Sequence, residues 1–307
     1  MLNPDGLAAS PEHDPLIAAI GPWRGWMRPG EYTTWLGVRL SAAMWLEGAG
    51  PALCDRWRHM LRACLPRYQH TSRPTFNEEY VEWLALAEAV AAAREHFVMI
   101  DLGAGWGRWL LSAAALARLR GDLNVRLVGI EAEPTHYRWL RRHFQRNGLR
   151  PRDHALIHAA ITARPGSAQF YVGRALDWWG QCVVIPGQGL KEVPVPLRRG
   201  VRIRQVPSLS LVELLAPYPH IDHIDSDIQG TELEVFASAV DQVNCRVGSI
   251  FIETHQTPAE EGLRKIFRDL GWTNRVDYPR GQTCRTPHGL IAFPDGVQWW
   301  VNPRFRT

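Results

Sequence analysis

Lysine is nearly absent from this chain. Lys191 and Lys265 are the only two, so 33 of the 35 cationic side chains are arginines. Guanidinium does not deprotonate in proteins, which removes almost every cationic side chain from the pool of general bases. Cysteine is scarce as well. Cys54, Cys64, Cys182, Cys245 and Cys284 are scattered, odd in number and free of any C-x-x-C pair. That argues against a disulfide framework or a thiolate zinc site and suits a reducing cytoplasm. No apolar run approaches the ~18 residues of a membrane span. The N-terminus, MLNPDGLAASPEHD, has acids and prolines where a secretory signal needs a basic stretch and an apolar core. A soluble, cytoplasmic protein is the expectation.

Excess charge of one sign is missing too. A net +4 over 307 residues is weak support for a polyanionic partner. The arginines between Arg138 and Arg152 surround Trp139, Leu140 and Phe144 in the manner of a solvated helix face, so no nucleic-acid site is read there. What is present is a 46% apolar, 21% charged chain, a globular composition with ample length for a buried core.

Residues 1 to about 75 are rich in Pro, Gly, Trp and Arg, with helix-like pieces at 34–46 and 53–64, and 77–95 reads as one helix. From residue 97 the pattern becomes strand–helix alternation. HFVMIDLG, VRLVGIE, ALIHAAI, HIDHID and GSIFIE are the strands, with amphipathic helices between most of them. This predicts an α/β, doubly wound, Rossmann-like sheet, mostly parallel. TNRVDY and GLIAF follow without a helix between them and predict an antiparallel C-terminal end. The expected organisation is a helical N-terminal extension over 1–95 and a main domain over 96–307, with an insertion at 163–206.

Asp101-Leu102-Gly103-Ala104-Gly105-Trp106-Gly107 falls where the first strand turns into its helix. Glycines there let backbone approach a ligand, and the helix N-terminus favours negative charge. A dinucleotide fingerprint needs a third glycine at position 108, which is Arg108, so a nucleotide-dependent oxidoreductase fails on that residue. The G-x-G-x-G spacing with an acid two residues upstream instead matches the turn of S-adenosylmethionine (SAM) enzymes, whose carboxylate meets the methionyl amine. Glu131 closes the second strand, where an acid accepts hydrogen bonds from ribose hydroxyls.

A second cluster lies at the ends of strands four and five: Asp225, Asp227 and Gln229, then Glu253 and His255. Side chains two apart in a strand share a face, and ligands bind outside the carboxyl ends of such strands. Two chemistries fit. Asp225, Asp227 or His255 accepts a proton from an attacking hydroxyl, or Asp225, Asp227 and Glu253 hold a divalent ion such as Mg²⁺. A purely structural role, with Asp227 as an N-cap, is the third reading.

IDLGAGWGRW, VGIEAEP, HAAITARPGSAQFYV, VPSLSLVELL, DSDIQGTELEVF and SIFIETHQ, in that order, resemble the FkbM-type SAM-dependent methyltransferases over about residues 97–272. The resemblance implies a class I methyltransferase fold and O-methylation of a hydroxyl in a sugar, glycan or secondary metabolite. It implies that Asp101, Gly103, Gly105, Trp106 and Gly107 line SAM, that Glu131 binds its ribose, and that Ala159 and Ala160 face the adenine. One departure is plain. Relatives commonly read Lys-Ile-Asp-Val-Glu-Gly at the fourth strand, where this chain has Asp225 and Gln229 in place of the lysine and glutamate. Those two changes also admit a SAM-binding scaffold or regulator without turnover.

The insertion carries Trp178, Trp179 and Gln181, a candidate lid, since aromatic faces stack on sugar rings and exclude water. Glu79 and Tyr80 are candidate substrate contacts from the N-terminal region. Apart from that substrate no partner is expected, except that a homo-oligomer built through the extension remains open.

Overall fold

Short runs in which nearly every side chain is apolar have to be covered on both faces, and here they form the middle of a seven-stranded sheet. The computed structural model describes residues 12–45, 65–173, 180–185 and 201–305. In chain order the sheet strands are β1 (His96–Leu102), β2 (Asn124–Ile130), β3 (Ala155–Ile157), β4 (His223–Ser226), β5 (Ser249–Thr254), β6 (Thr273–Tyr278) and β7 (Gly296–Val301). Their spatial order is 3-2-1-4-5-7-6. β1 to β5 pair in parallel, and β7 enters between β5 and β6 antiparallel to both. The order reverses between β1 and β4, which opens a crevice at their carboxyl ends.

Five helices matter for the site: α1 (Glu79–Ala92), α2 (Arg108–Arg120), α3 (Pro134–Arg146), α4 (Glu232–Ala237) and α5 (Thr257–Asp269). α2 starts after Gly107 and stops at Gly121, both with positive φ. α3 is capped by Glu133, whose carboxylate accepts from the His136 N–H, with Pro134 in its first turn. One apolar cluster runs through Trp35, Leu40, Tyr80, Trp83 and Leu86 into Phe97, Leu110 and Phe144, so the N-terminal region shares its core with the sheet.

Three expectations are corrected. ALIHAAI is not one strand. Ala155–Ile157 stays in the main sheet, whereas Ala160–Thr162 pairs with Arg202–Ser210, which also pairs antiparallel with Gly166–Val172. The second strand of the antiparallel end is β7, GVQWWV, and not GLIAF. All six β7 residues are buried, while GLIAF leaves Leu290 70% exposed and forms its own hairpin with Gln282–Thr286. Beside the helix Glu79–Ala92, the described part of the N-terminal extension carries four short strands. Arg24–Met27 pairs with Arg67–His70, and Glu31–Thr33 with Arg39–Ser41. The stretch read as a helix over 34–46 is a turn at Gly37 (φ 81°), a short strand and the 3₁₀ turn Ala42–Trp45, because Gly37 takes a left-handed conformation that ends any helix. The helix expected over 53–64 lies outside the described residues. Among the described residues no helix is long and apolar enough to cross a membrane.

Candidate active site

β1 and β4 are in register, with Asp101 opposite Asp225, so two carboxylates stand side by side on neighbouring strands. They form part of the wall of a cavity of about 550 Å³ at the carboxyl ends of the strands. The glycine turn closes one side of it. At Gly103 (φ 88°) a Cβ would sit 2.0 Å from the Asp227 carbonyl oxygen, so this glycine lets the first and fourth strand ends meet. Gly107 (φ 90°) does the same against Leu140, where a Cβ would come within 2.6 Å of Cδ1. Gly105 differs. Its added Cβ would meet nothing nearer than 4.0 Å, and its N–H donates to Glu131 Oε2 at 2.7 Å. Glu131 Oε1 accepts from the Glu133 N–H at 2.6 Å, so the backbone holds the acid closing β2 in place while its remaining lone pairs stay available. Ala159, Ala160, Ile130, Ile161 and Phe170 make an apolar wall beyond it.

The other side is strongly acidic. Among the described residues nine carboxylates line the cavity against one arginine, Arg108, and that guanidinium is already hydrogen-bonded by both Nη atoms to Glu79, one contact at 2.6 Å. Burial is the main cause of the electrostatics that follow. It pushes Asp225 up to about 7, helped by the charge of Asp227 and opposed by a hydrogen bond from Glu82. Glu82 lies well above the usual glutamate range because it is buried and faces Asp225 and Glu253. Asp101 and Glu253 are raised in the same way, Asp101 by burial and then by Asp225, Glu253 by burial and then by Asp227. Oδ2 of Asp101 and Oδ2 of Asp225 are buried and have no hydrogen-bond partner in the protein.

His255 is a cation here. Burial alone would lower its pKa, but the hydrogen bond and charge of Glu232, with Asp227, push it up to about 10. Nδ1 lies 2.8 Å from Glu232 Oε1, and Nε2 lies 3.3 Å from Asp227 Oδ1. A charged imidazole has no lone pair for a proton or a metal. Asp227 is also braced by Gln229, which occupies a left-handed conformation (φ 58°) and donates from Nε2 to Asp227 Oδ1 at 2.6 Å. A glutamate at 229 has no amide to make that bond.

The candidates from sequence are distributed as follows. Asp101, Gly103, Gly105, Trp106, Glu131, Ala159, Ala160, Asp225, Asp227, Glu253, Gln181 and Glu79 all line the cavity. Gly107 and His255 stand outside its lining, Gly107 as the N-cap of α2. Tyr80 is fully buried, and its hydroxyl accepts from the Asp14 N–H at 3.1 Å, so it packs in the core and does not face the cavity. Trp178 and Trp179 lie outside the described residues. Gln181 accepts from the Gly173 N–H at 2.9 Å through Oε1. For a metal, the structure brings ligand atoms of Asp227, Glu253 and His255 within 4.8 Å of one another, a different trio from the Asp225, Asp227 and Glu253 expected, and one that includes the charged His255.

Glu82 was missed by the sequence reading. It sits in the middle of the α1 pattern, and only the packing of α1 over the cavity reveals it as 3% exposed among acids. The available signal was a lone acid on the apolar side of the helix, between Val81 and Trp83. Its burial has a testable consequence. Because the folded-state pKa lies above the ordinary 4.5, the ligand-free protein loses stability as pH rises from about that value through the folded-state pKa. E82Q removes that loss and still donates to Asp225. Its Tm at pH 8 should exceed wild type by about 1–4 °C. The gain should shrink towards pH 5, as thermal denaturation at the two pH values will show.

Residues 101–272 match the family described as the Methyltransferase FkbM domain. A protein of Jannaschia sp. (strain CCS1), which carries the provisional name of a methyltransferase, is 26% identical over 278 residues, or 90% of this chain and 93% of its own. Among solved structures, the methyltransferase FkbM of Methylobacillus flagellatus KT is 13% identical, with a TM-score of 0.43 over 68% of this chain and 44% of that one. This chain therefore spans less than half the length of that protein. The precorrin-6y C5,15-methyltransferase of Geobacter metallireducens GS-15 is 15% identical, with a TM-score of 0.35 over 70% of this chain and 86% of that one.

Proposed function

The chain belongs to the FkbM family of SAM-dependent methyltransferases, and from that premise we propose that it methylates a hydroxyl oxygen of a sugar, a glycan or a secondary-metabolite acceptor. The observation that carries this reading is Asp225: a buried carboxylate, poised near neutrality, beside the glycine turn and with one oxygen unpartnered.

The residues of the turn suit SAM. The orphaned Oδ2 of Asp101 offers a buried acceptor to the methionyl ammonium, and Gly105 leaves room for close approach of the ligand. Glu131 would take the ribose hydroxyls, and the wall of Ala159 and Ala160 would take the adenine. Bound SAM supplies a methyl group on a sulfonium sulfur, whose C–S bond breaks as the acceptor's C–O bond forms, leaving S-adenosylhomocysteine. The protein's part is position and proton. The cavity walls orient the hydroxyl and exclude water, and Asp225 accepts the proton that the oxygen loses. Asp227, braced by Gln229 and the charged His255, positions the loop against Gly103 and is not the proton acceptor in this scheme. The scheme requires no metal.

The test is a mass-shift screen of hydroxyl compounds with SAM, run with and without chelator. A gain of one methyl on oxygen that survives chelation is the expected result. Turnover lost on chelation and restored by Mg²⁺ would transfer the proton chemistry to an ion on Asp227 and Glu253. SAM binding with no methylated product across the panel would point to the scaffold reading.

A further inference from the structure

The acidity of the cavity exceeds what SAM and proton transfer use. Asp101 and Glu131 belong to the SAM half, Glu79 is neutralised by Arg108, and Asp227 is held by Gln229 and His255. Asp295 is paired with Arg280. Glu78, Glu82, Asp225 and Glu253 remain, and the last three are brought together from α1, β4 and β5 around the acceptor half. Proton transfer from one hydroxyl needs one carboxylate. Glu82 is 3% exposed and Asp225 2% exposed, and among the described residues neither is paired with a basic side chain of its own. Asp225 lines this space, and its Oδ2 is buried without a hydrogen-bond partner. Like charges gathered out of water destabilise the fold unless something positive neutralises them. Among the described residues the cations nearby are Arg108, with its hydrogen-bonding nitrogens already on Glu79, and His255, already bonded to Glu232 and set against Asp227.

We propose that the acceptor half of the cavity binds a compound carrying a protonated amine beside the hydroxyl that is methylated, an amino sugar or a smaller 1,2-amino alcohol. Glu82 and Glu253 hold the ammonium, and Asp225 faces the neighbouring hydroxyl. This assignment rests on the hydroxyl-acceptor reading above. The ammonium keeps its protons throughout, and the single proton lost on methylation leaves the hydroxyl oxygen for Asp225. A metal ion matches the arrangement less well, because the compact trio available to it includes His255, already charged and bonded to Glu232. A charge-assisted hydrogen bond is among the stronger contacts a ligand makes, so blocking the amine removes a large share of affinity.

The experiment compares matched pairs, each a free amine and its N-acetyl form: glucosamine with N-acetylglucosamine, and 2-aminoethanol with N-acetyl-2-aminoethanol. Binding to the full chain saturated with S-adenosylhomocysteine is measured by calorimetry, and methyl positions are mapped by mass spectrometry with SAM. The free amine should bind about tenfold or more tightly than its capped form in at least one pair. E253Q and E82Q should each reduce that preference, weakening binding of the free amine more than binding of the capped compound. The comparison within the unaltered protein stands even if a variant fails to fold. Equal binding within both pairs, tighter binding of the capped forms, or binding of none of the four overturns the proposal. So does tight binding of Mg²⁺ alone without any preference for the amines. Methylation on oxygen in capped and free compounds alike overturns the amine subsite and leaves the hydroxyl reading intact. Methylation on nitrogen, with the binding preference present, supports the subsite and sinks the hydroxyl reading.

Discussion

Asp225→Asn should lower kcat by about 100- to 10,000-fold, the usual range for removing a positioned proton acceptor. SAM affinity should stay within a few-fold of wild type, since Asp101 and Glu131 hold the other half of the cavity. The substitution keeps the shape of the side chain and removes only its ability to take a proton. The pH profile adds a readout that a packing role would not move. Asp225 sits at about 7, raised chiefly by burial, so it is protonated and inactive below that pH and ionised above it. In the wild type kcat/KM should therefore rise with unit slope up to about pH 7 and level off beyond. A wild-type profile flat between pH 5.5 and 8.5, or near-full turnover by D225N, would remove Asp225 from the chemistry.

The second large effect is expected at Gly103. G103A places a methyl group 2.0 Å from the Asp227 carbonyl oxygen, a backbone atom that cannot rotate away, at a φ of 88° that non-glycine residues rarely adopt. Strain and overpacking together should cost roughly 2–5 kcal/mol of folding stability. Because the strand ends must separate, SAM affinity should fall more than about tenfold even where the variant remains folded. G105A is the informative contrast. Its new methyl group meets open space, so stability should fall by only about 1 kcal/mol while SAM binding weakens through occupation of the cradle. Urea denaturation and SAM calorimetry on both variants separate the two glycines. If G103A unfolds and binds like wild type, the tight approach of β1 and β4 is wrong.

Local signals in the chain carried the sheet and the glycine-turn side of the cavity a long way. The runs that became β1, β2, β4 and β5 are short and almost wholly apolar, a pattern with few alternatives once helices alternate with it. Asp101, the three glycines and Glu131 lie within about thirty residues in two adjacent strand–helix units, so spacing alone places them together. TNRVDY and GLIAF were harder, because both look like strands locally. Pairing is decided by which one can be buried on both faces, and only GVQWWV has six residues fit for that. The N-terminal stretch failed for a related reason. Over 34–46 its helix-like spacing is overridden by the glycine turn at Gly37 and by the pairing of Arg39–Ser41 with Glu31–Thr33.

The sequence by itself determined an α/β methyltransferase with a SAM-type turn, the near absence of lysine, and acids at the fourth and fifth strand ends. Those features depend on neighbours close along the chain. Only the tertiary structure decided which acids share the cavity and how deeply they are buried. Glu82 comes from a helix before the first sheet strand, Asp225 from the fourth strand and Glu253 from the fifth, and their environments arise when α1 closes over the sheet. The same packing sets His255 against Glu232 on the next helix, which favours its charged form. Ionisation depends on the burial and charge around a group in three dimensions, and that is the part of the chemistry that spacing along a chain does not carry.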